Sequence, residues 1–372
     1  MFPQNNIVFI GNSVTEHSKS VKHLNKRVIN IDSFNDDDLI GENFINPDPY
    51  GLVNKDVISI LKKLKLNKND TVIIVTSDFA RDRNYYELLQ SFGKIIGNSH
   101  EDILKIQNQK NFTHKLKKNN INFPERFISK EQVIEPALIK NTYLSGGFGV
   151  KEYKNNYKIN IKDEYFEKFL EGQEYSVLFI SNNQKEFKII GVNKIFNKKT
   201  HYTDFCFSGA CSNITLNQKQ IDYLNYIINF FVHEYNLAGI NGIDFIISKD
   251  IYFLEINPRI TQTCFLYDDK FIDGYIAAHI NSILEKNFSF NEKILIETKF
   301  FENLFSKISF NINVDLNKFD FVSNIPQLDK SIESGDPICT INSKSDNEKK
   351  AKNLLLDNIS LIKAELKNIE II

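Results

Sequence analysis

The chain has 372 residues, 42% hydrophobic and 25% charged, with 46 basic against 47 acidic side chains and a net charge of −1. That length exceeds one ordinary core and points to a globular protein of two or three units. Balanced charge without a basic stripe interleaved with aromatics argues against nucleic acid as the main partner, and no apolar run approaches the roughly 18 residues a membrane helix requires. The start, Met1-Phe-Pro-Gln-Asn-Asn6, lacks the layout of a signal peptide. Cys206, Cys211, Cys264 and Cys339 show no Cys-x-x-Cys spacing, so they read as reduced structural thiols of a cytoplasmic protein.

In chain order, residues 7–10 form a short apolar strand ending at Gly11, and residues 13–24 have helix-compatible spacing. Strands follow at 28–31, 71–75 and 94–96, with a helical segment at 56–64. Strands alternating with helices predict a parallel, layered α/β unit over residues 1–98. The segment Gly11-Asn-Ser-Val-Thr-Glu16 lacks the three-glycine dinucleotide fingerprint, which argues against a dehydrogenase.

The texture changes near Glu101. A helix at 112–118 precedes an apolar strand at 136–140 and the loop Ser145-Gly-Gly-Phe-Gly-Val150. Such a loop lets backbone N–H groups approach phosphate oxygens, and Lys140 supplies a point charge nearby. It lacks the Gly-Lys-Ser/Thr ending of a P-loop, so a flexible turn beside an exposed lysine explains it almost as well. Glu167-Lys-Phe-Leu-Glu-Gly-Gln-Glu174 leads into a strand at 175–180, and 189–193 continues the sheet. Phe205-Cys-Phe-Ser-Gly209 reads as a loop, preceded by Lys198, Lys199, His201 and Asp204; His201 fits a solvated loop residue better than a base. A helix at 218–235 carries an apolar face of Ile221, Leu224, Ile228, Phe231 and Val232.

Residues 242–259 carry the strongest signal. Strands 242–247 and 251–256, joined by a turn at Lys249 and Asp250, place Asp244 across from Glu255. Side chains alternate faces along a strand, so Asn257 joins Glu255 on one side, with Arg259 just beyond. The flanking Ile243, Phe245, Leu254 and Ile256 predict a mostly buried hairpin, where charge needs a partner or a metal. Two carboxylates and an amide oxygen form an all-oxygen set suited to Mg²⁺; solvated acidic residues are the bland alternative. Residues 290–372 read as a further unit with β-rich segments at 300–314 and 320–322, Gly335-Asp-Pro-Ile-Cys-Thr340, and a helix at 346–366. The middle unit is then 99–289.

With Lys140, the glycine loop, Asp244 and Glu255-Ile-Asn-Pro-Arg259 in this order, the sequence resembles the ATP-grasp superfamily over nearly its full length. Within it, the likeness is to carboligase-like proteins related to biotin carboxylase, to which Ile31-Asp-Ser-Phe34 and Gly335-Asp-Pro-Ile-Cys-Thr340 also correspond. The resemblance implies an α/β (α+β) fold: an N-terminal parallel α/β domain, a central two-lobed nucleotide domain and a small C-terminal β-rich domain. It implies that Lys110 and Lys140 hold ATP phosphates and that Ser145, Gly146, Gly147 and Gly149 fold over them. Glu167 and the backbone to Leu170 would line the adenine, and Glu174 the ribose. Asp244, Glu255 and Asn257 would carry Mg²⁺, with Mn²⁺ able to replace it, and Arg259 would hold the acceptor carboxylate or the moving phosphoryl group.

Some ATP-grasp ligases place an arginine where this chain has Gly242, so Lys194 or Lys198 would have to meet that phosphate charge. The implied activity is an ATP-dependent carboxylate–amine ligase working through an acylphosphate, with small-molecule acid and amine substrates and a homodimer as the implied assembly. Relatives of this subgroup are associated with one-carbon coenzyme biosynthesis, which makes a glutamate- or tyrosine-type amino acid an attractive substrate. A bicarbonate-using carboxylase and a nucleotide-binding protein without turnover are the rivals. The acceptor pocket is expected between the first domain and the 205–209 loop, near Ser77, Asp78 and Arg81.

Overall fold

The computed structural model describes residues 2–77, 83–127, 129–154, 163–285, 297–367 and 369–372. Its first sheet is built from β1 (Asn6–Gly11), β2 (Arg27–Asp32), β3 (Glu42–Ile45), β4 (Thr71–Val75) and β5 (Lys94–Ile95) in the order β3-β2-β1-β4-β5. All four pairings are parallel. β1, β2 and β4 are buried nearly end to end, as strands covered on both faces must be. The edge strand β3, Glu42-Asn-Phe-Ile45, has no apolar run to betray it and gains its order from pairing with β2.

Three helices intervene: α1 (Thr15–Ser20), α2 (Lys55–Leu64) and α3 (Arg83–Leu89). The spacing at 13–24 suggests a longer first helix than α1. The chain leaves it at Ser20, whose hydroxyl donates to Asp268 Oδ1 at 2.6 Å, and Val21 and Leu24 turn into the core. Asn54 caps α2 by accepting from the N–H groups of Asp56 and Val57.

After α4 (His100–Gln107) and α5 (Gln109–Lys118) comes an antiparallel sheet of β6 (Arg126–Phe127), β7 (Ala137–Asn141), β8 (Val150–Glu152) and β9 (Glu164–Lys168), ordered β6-β9-β7-β8. The larger sheet contains β10 (Gln173–Ser181), β11 (Phe187–Lys198) and β12 (Cys206–Cys211). Then follow α6 (Gln218–Glu234), β13 (Gly239–Ile247), β14 (Ile251–Asn257) and α7 (Gly274–Leu284). The chain finishes with β15 (Thr298–Phe305), β16 (Phe310–Asn311), β17 (Val322–Ser323), β18 (Ser331–Ile332), β19 (Pro337–Ser345) and α8 (Glu348–Glu365).

The eight-stranded order is β14-β13-β10-β11-β12-β15-β19-β17, while β16 and β18 pair separately. This is a mixed α/β architecture, with a parallel N-terminal sheet and antiparallel sheets after it. Most of the 205–209 segment, read above as a loop, is strand: Gly209, Ala210 and Cys211 pair with Glu302, Phe301 and Phe300, so ladder bonds to β15 straighten it. The same pairing makes the C-terminal strands continuous with the central sheet. The division expected at 289/290 lies outside the described residues. The sequence pattern gives no hint of α7, which packs its Tyr275, Ile276, Ala277 and Ile280 into the core beneath β1.

α6 starts with a capping box, Asn217 and Gln220 each accepting from the other's backbone N–H at 3.0 Å. Its apolar face meets α5 and the sheet through Phe231, fully buried, whose ring lies 5.8 Å from Phe112 and 5.1 Å from Phe253. All four cysteines are free and buried. Among the described residues no helix is long and apolar enough to cross a membrane. Phe231→Ala should lower unfolding free energy by about 3–5 kcal/mol in urea titrations, because the aromatic cluster cannot collapse onto the lost ring.

Candidate active site

The sheets and the C-terminal strands enclose one large cleft of about 880 Å³. One wall is the β13–β14 ribbon, whose register differs in an instructive way from the one its turn residues suggest. The turn has three residues, with Ile247 paired to Ile251, which by itself would set Asp244 against Leu254. A bulge between Asp244 and Phe245 takes up one extra residue of β14, and Asp244 pairs with Glu255 after all. Ile243, Phe245, Phe253 and Ile256 then point into the core, while Asp244, Leu254, Glu255 and Asn257 line the cleft.

The hairpin is less buried than its apolar neighbours suggest: Asp244 is half-buried and Glu255 exposed to the cleft. Asn257 Nδ2 donates to Asp244 Oδ2 at 2.9 Å, and Arg259 Nη2 donates to Asn257 Oδ1 at 3.4 Å. Burial, and then the facing Glu255 charge, push the Asp244 carboxyl well above the usual carboxylate range. Like charges so placed repel, and a cation between them would offset that repulsion. Among the described residues no three His, Cys, Asp or Glu side chains cluster as a self-sufficient metal site. Two carboxylates and an amide oxygen instead fit Mg²⁺, which completes its shell with water and phosphate oxygens.

The opposite charge gathers on the four-stranded sheet. Glu167 in β9 is almost fully buried and meets two cations, Lys140 Nζ at 2.6 Å and Arg126 Nε at 3.1 Å. Burial works against the Lys140 ammonium, but Glu167 above all outweighs it and keeps the group protonated. Arg126 also donates to Gln109 Oε1 at 2.7 Å and Thr113 Oγ1 at 3.1 Å, and its guanidinium lies 4.9 Å from the Tyr165 ring. One carboxylate between two cations leaves a net positive charge at Lys140, which faces the cleft. The Glu167 carboxylate therefore spends its acceptors on cations, while Lys168, Phe169 and Leu170 continue the cleft lining. Arg126 was not foreseeable from spacing, since an isolated Arg-Phe between loops has no pattern; its partner lies 41 residues away.

The glycine loop is folded down over the cleft. Gly146 and Gly147 have φ of +65° and +80°. The Phe207 N–H donates to Gly146 O at 3.0 Å, and Thr203 Oγ1 donates to Gly147 O at 2.7 Å. A Cβ on Gly147 would lie 1.7 Å from Phe205 O, so only glycine permits this approach. Ser145, Gly146 and Gly147 line the cleft, whereas Gly149 packs against Asn141 and Leu144 to turn the chain back. Phe148 at the tip meets the Tyr50 ring edge-on at 6.0 Å.

Glu174 lines the cleft and accepts from Asn197 Nδ2 at 2.7 Å; burial raises its carboxyl above the usual range. Lys110 is exposed on α5, outside the cleft lining. Neither lysine suggested as a substitute for the absent arginine reaches the cleft. Lys194 turns toward Glu348 at 3.9 Å, and Lys198 pairs with Glu302 at 2.6 Å. Lys330, which sequence spacing does not mark, lines the cleft instead, as do His17 and Asp36. Burial lowers His17 to about 3, so it is a neutral imidazole, held by Tyr275 Oη at 2.6 Å from Nδ1. His201 is exposed, its ring 3.7 Å from that of Tyr202 and tilted by 39°. Phe205 and Ser77 border the cleft, while Asp78 and Arg81 lie outside the described residues.

Residues 106–263 match the model of the ATP-grasp domain family. An uncharacterized protein of Methanocaldococcus jannaschii is 26% identical over 347 residues, covering 87% of this chain and 84% of that protein. The tyramine–L-glutamate ligase of the same organism is 28% identical over 212 residues, 55% of this chain and 61% of the ligase. Among solved structures, the biotin carboxylase domain of Hydrogenobacter thermophilus 2-oxoglutarate carboxylase superposes with a TM-score of 0.73. Its identity is 12%, with 100% of this chain and 91% of that one covered.

Two outcomes follow from the geometry. Arg126→Met should cost about 3–5 kcal/mol of stability in urea titrations, because a buried carboxylate loses one of its two cations. Gly147→Ala should weaken binding of a non-hydrolysable ATP analogue by at least about tenfold in calorimetry, roughly 1.4 kcal/mol, as the loop is pushed off Phe205.

Proposed function

We propose that this chain, a member of the ATP-grasp superfamily related to biotin carboxylase, is an ATP- and Mg²⁺-dependent ligase that joins a carboxylate to an amine. The observation that carries the reading is the facing pair Asp244 and Glu255, with Asn257 and Arg259, in the same cleft as Lys140 and the closed glycine loop. Asp244, Glu255 and Asn257 would hold Mg²⁺, with Mn²⁺ as a substitute, which would supply positive charge against the phosphates.

A carboxylate is a poor electrophile, and the ligase overcomes this by phosphorylation. Its oxygen attacks the γ-phosphorus, ADP leaves, and the resulting acylphosphate loses phosphate when an amine attacks its carbonyl carbon. Lys140 and Arg259 meet charge on the phosphates, and the loop around Gly147 keeps water from the acylphosphate. Phe169 and Leu170 would flank the adenine and Glu174 the ribose hydroxyls. Lys110 would have to reach in from outside the cleft lining.

A bicarbonate-using carboxylase is the second reading, favoured by the biotin carboxylase neighbour, which was crystallised with MgADP and bicarbonate. ADP release separates the two: ligation requires an acid and an amine together, whereas carboxylation requires bicarbonate. ADP release under neither condition would remove both.

Glu255→Gln should lower turnover by about a thousandfold or more, of the order of 4 kcal/mol in the barrier, with the thermal midpoint nearly unchanged. Near wild-type turnover would remove the metal assignment. Because burial, and then the facing Glu255 charge, raise the Asp244 carboxyl, Mg²⁺ binding should release protons, measured by calorimetry in buffers of different ionisation enthalpy. Mg²⁺ affinity should accordingly strengthen as pH rises toward the raised Asp244 value, and flatten above it.

A further inference from the structure

We propose that the amine substrate is an α-amino acid, held as its zwitterion between the carboxylate of Asp36 and the ammonium of Lys330, an inference that rests on the ligase reading. The end of β2 and the loop after it carry four carboxylates, and the fold uses three of them; Asp37 Oδ2, for one, accepts from Asn317 Nδ2 at 2.6 Å. Asp32 accepts from the backbone N–H groups of Val14, Phe34 and Asn35 at 2.7, 2.8 and 2.7 Å, which shapes the loop. Asp38 accepts from the N–H groups of Asn324 and Ile325 at 3.1 and 2.8 Å and pairs with Lys19 at 2.5 Å. Asp36 is different: it is 5% exposed, lines the cleft, and accepts from Thr15 Oγ1 at 3.1 Å.

Lys330 reaches the same cleft from the C-terminal strands. Its ammonium donates to Phe34 O and lies 5.4 Å from the Phe34 ring. An ammonium has three N–H donors, so this carbonyl leaves capacity for a carboxylate. Among the described residues neither Asp36 nor Lys330 forms an ion pair, although Asp36 feels the Lys330 charge. A carboxyl and an ammonium that share a cleft without closing on each other match a ligand carrying both signs a few ångströms apart.

The environment favours a positively charged group at Asp36. Burial first, and then the Asp32 charge, raise its carboxyl to about 8; Asp38 adds to this, while Lys330 and the Thr15 hydroxyl pull the other way. A substrate ammonium would relieve that strain by supplying the missing counter-charge. The wall around the pair is held in place beforehand. Ser13 Oγ donates to Asn324 Oδ1 at 2.9 Å, Asn324 Nδ2 to Thr340 Oγ1 at 2.8 Å, and Thr340 Oγ1 to Asn303 Oδ1 at 2.7 Å. This chain of bonds ties the loop after β1 to β15, β17 and β19, so the subsite is assembled from both ends of the sequence. A simple amine would leave the Lys330 ammonium with only the Phe34 carbonyl.

The test is a crystal of the whole protein grown with Mg²⁺, a non-hydrolysable ATP analogue and a mixture of the twenty L-amino acids. The expected result is one amino acid with its nitrogen about 3 Å from the Asp36 carboxylate and its carboxylate directed to Lys330. Nucleotide bound beside Asp244 and Glu255, with the amino acid absent or elsewhere, overturns this subsite and leaves the ligase reading standing. Absence of nucleotide overturns both. In solution, Asp36→Asn and Lys330→Gln should each raise the KM for that amino acid at least tenfold, with the KM for ATP unchanged. An unchanged amino acid KM in the part-exposed Lys330→Gln variant, which poses little risk to folding, overturns the pairing.

Discussion

Two carboxylates that face each other across a β-ribbon are the constraint on which the reading of this protein turns. Like charges at a cross-strand pair are unfavourable, and an ordinary hairpin avoids them. Here the sheet goes further, inserting a bulge that replaces a Leu254 opposite Asp244 with Glu255. A backbone irregularity that brings two acids together makes chemical sense when a divalent cation is to lie between them. Asn257 and Arg259 extend the arrangement, each hydrogen-bonded to the next and joined to the acid pair through Asp244.

The other lobe carries the complementary imbalance. Arg126 and Lys140 share the single carboxylate of Glu167, so the buried cluster keeps one positive charge in excess at the cleft surface. Arg126 gives Glu167 a counter-charge that does not depend on Lys140, which leaves the lysine able to turn toward an anion without stranding a buried carboxylate. Excess negative charge on one wall and excess positive charge on the other suit a ligand that is itself a polyanion bound with a cation. The glycine loop, docked on Phe205 and Phe207, closes the space between them.

Much of the fold was legible because the strands and helices announce themselves locally. β1 and β4 are apolar runs, β2 is one interrupted by Asn30, and α6 repeats its apolar residues at helical spacing. The misreadings fall where local pattern is weak. β3 is polar, and β12 owes its straightness to partners in β11 and β15. α7 is buried on nearly every side, His279 and Ser282 included, and so lacks the amphipathic period that marks a surface helix. The lysines at 194 and 198 have the right charge, but strand geometry points them at Glu348 and Glu302.

By itself the sequence determined which side chains could share a face: in a strand the period is two, so Glu255 and Asn257 had to fall together, and two glycines at 146 and 147 had to make a loop able to approach another backbone. It could not determine what those faces would meet. The bulge that aligns Asp244 with Glu255, the Arg126 clasp on Glu167, and the placing of Asp36 and Lys330 along one cleft were decided by tertiary structure alone. The physical reason is range. Periodicity acts between neighbours along the chain, whereas charge pairing and sheet register act between residues that only folding brings within a few ångströms.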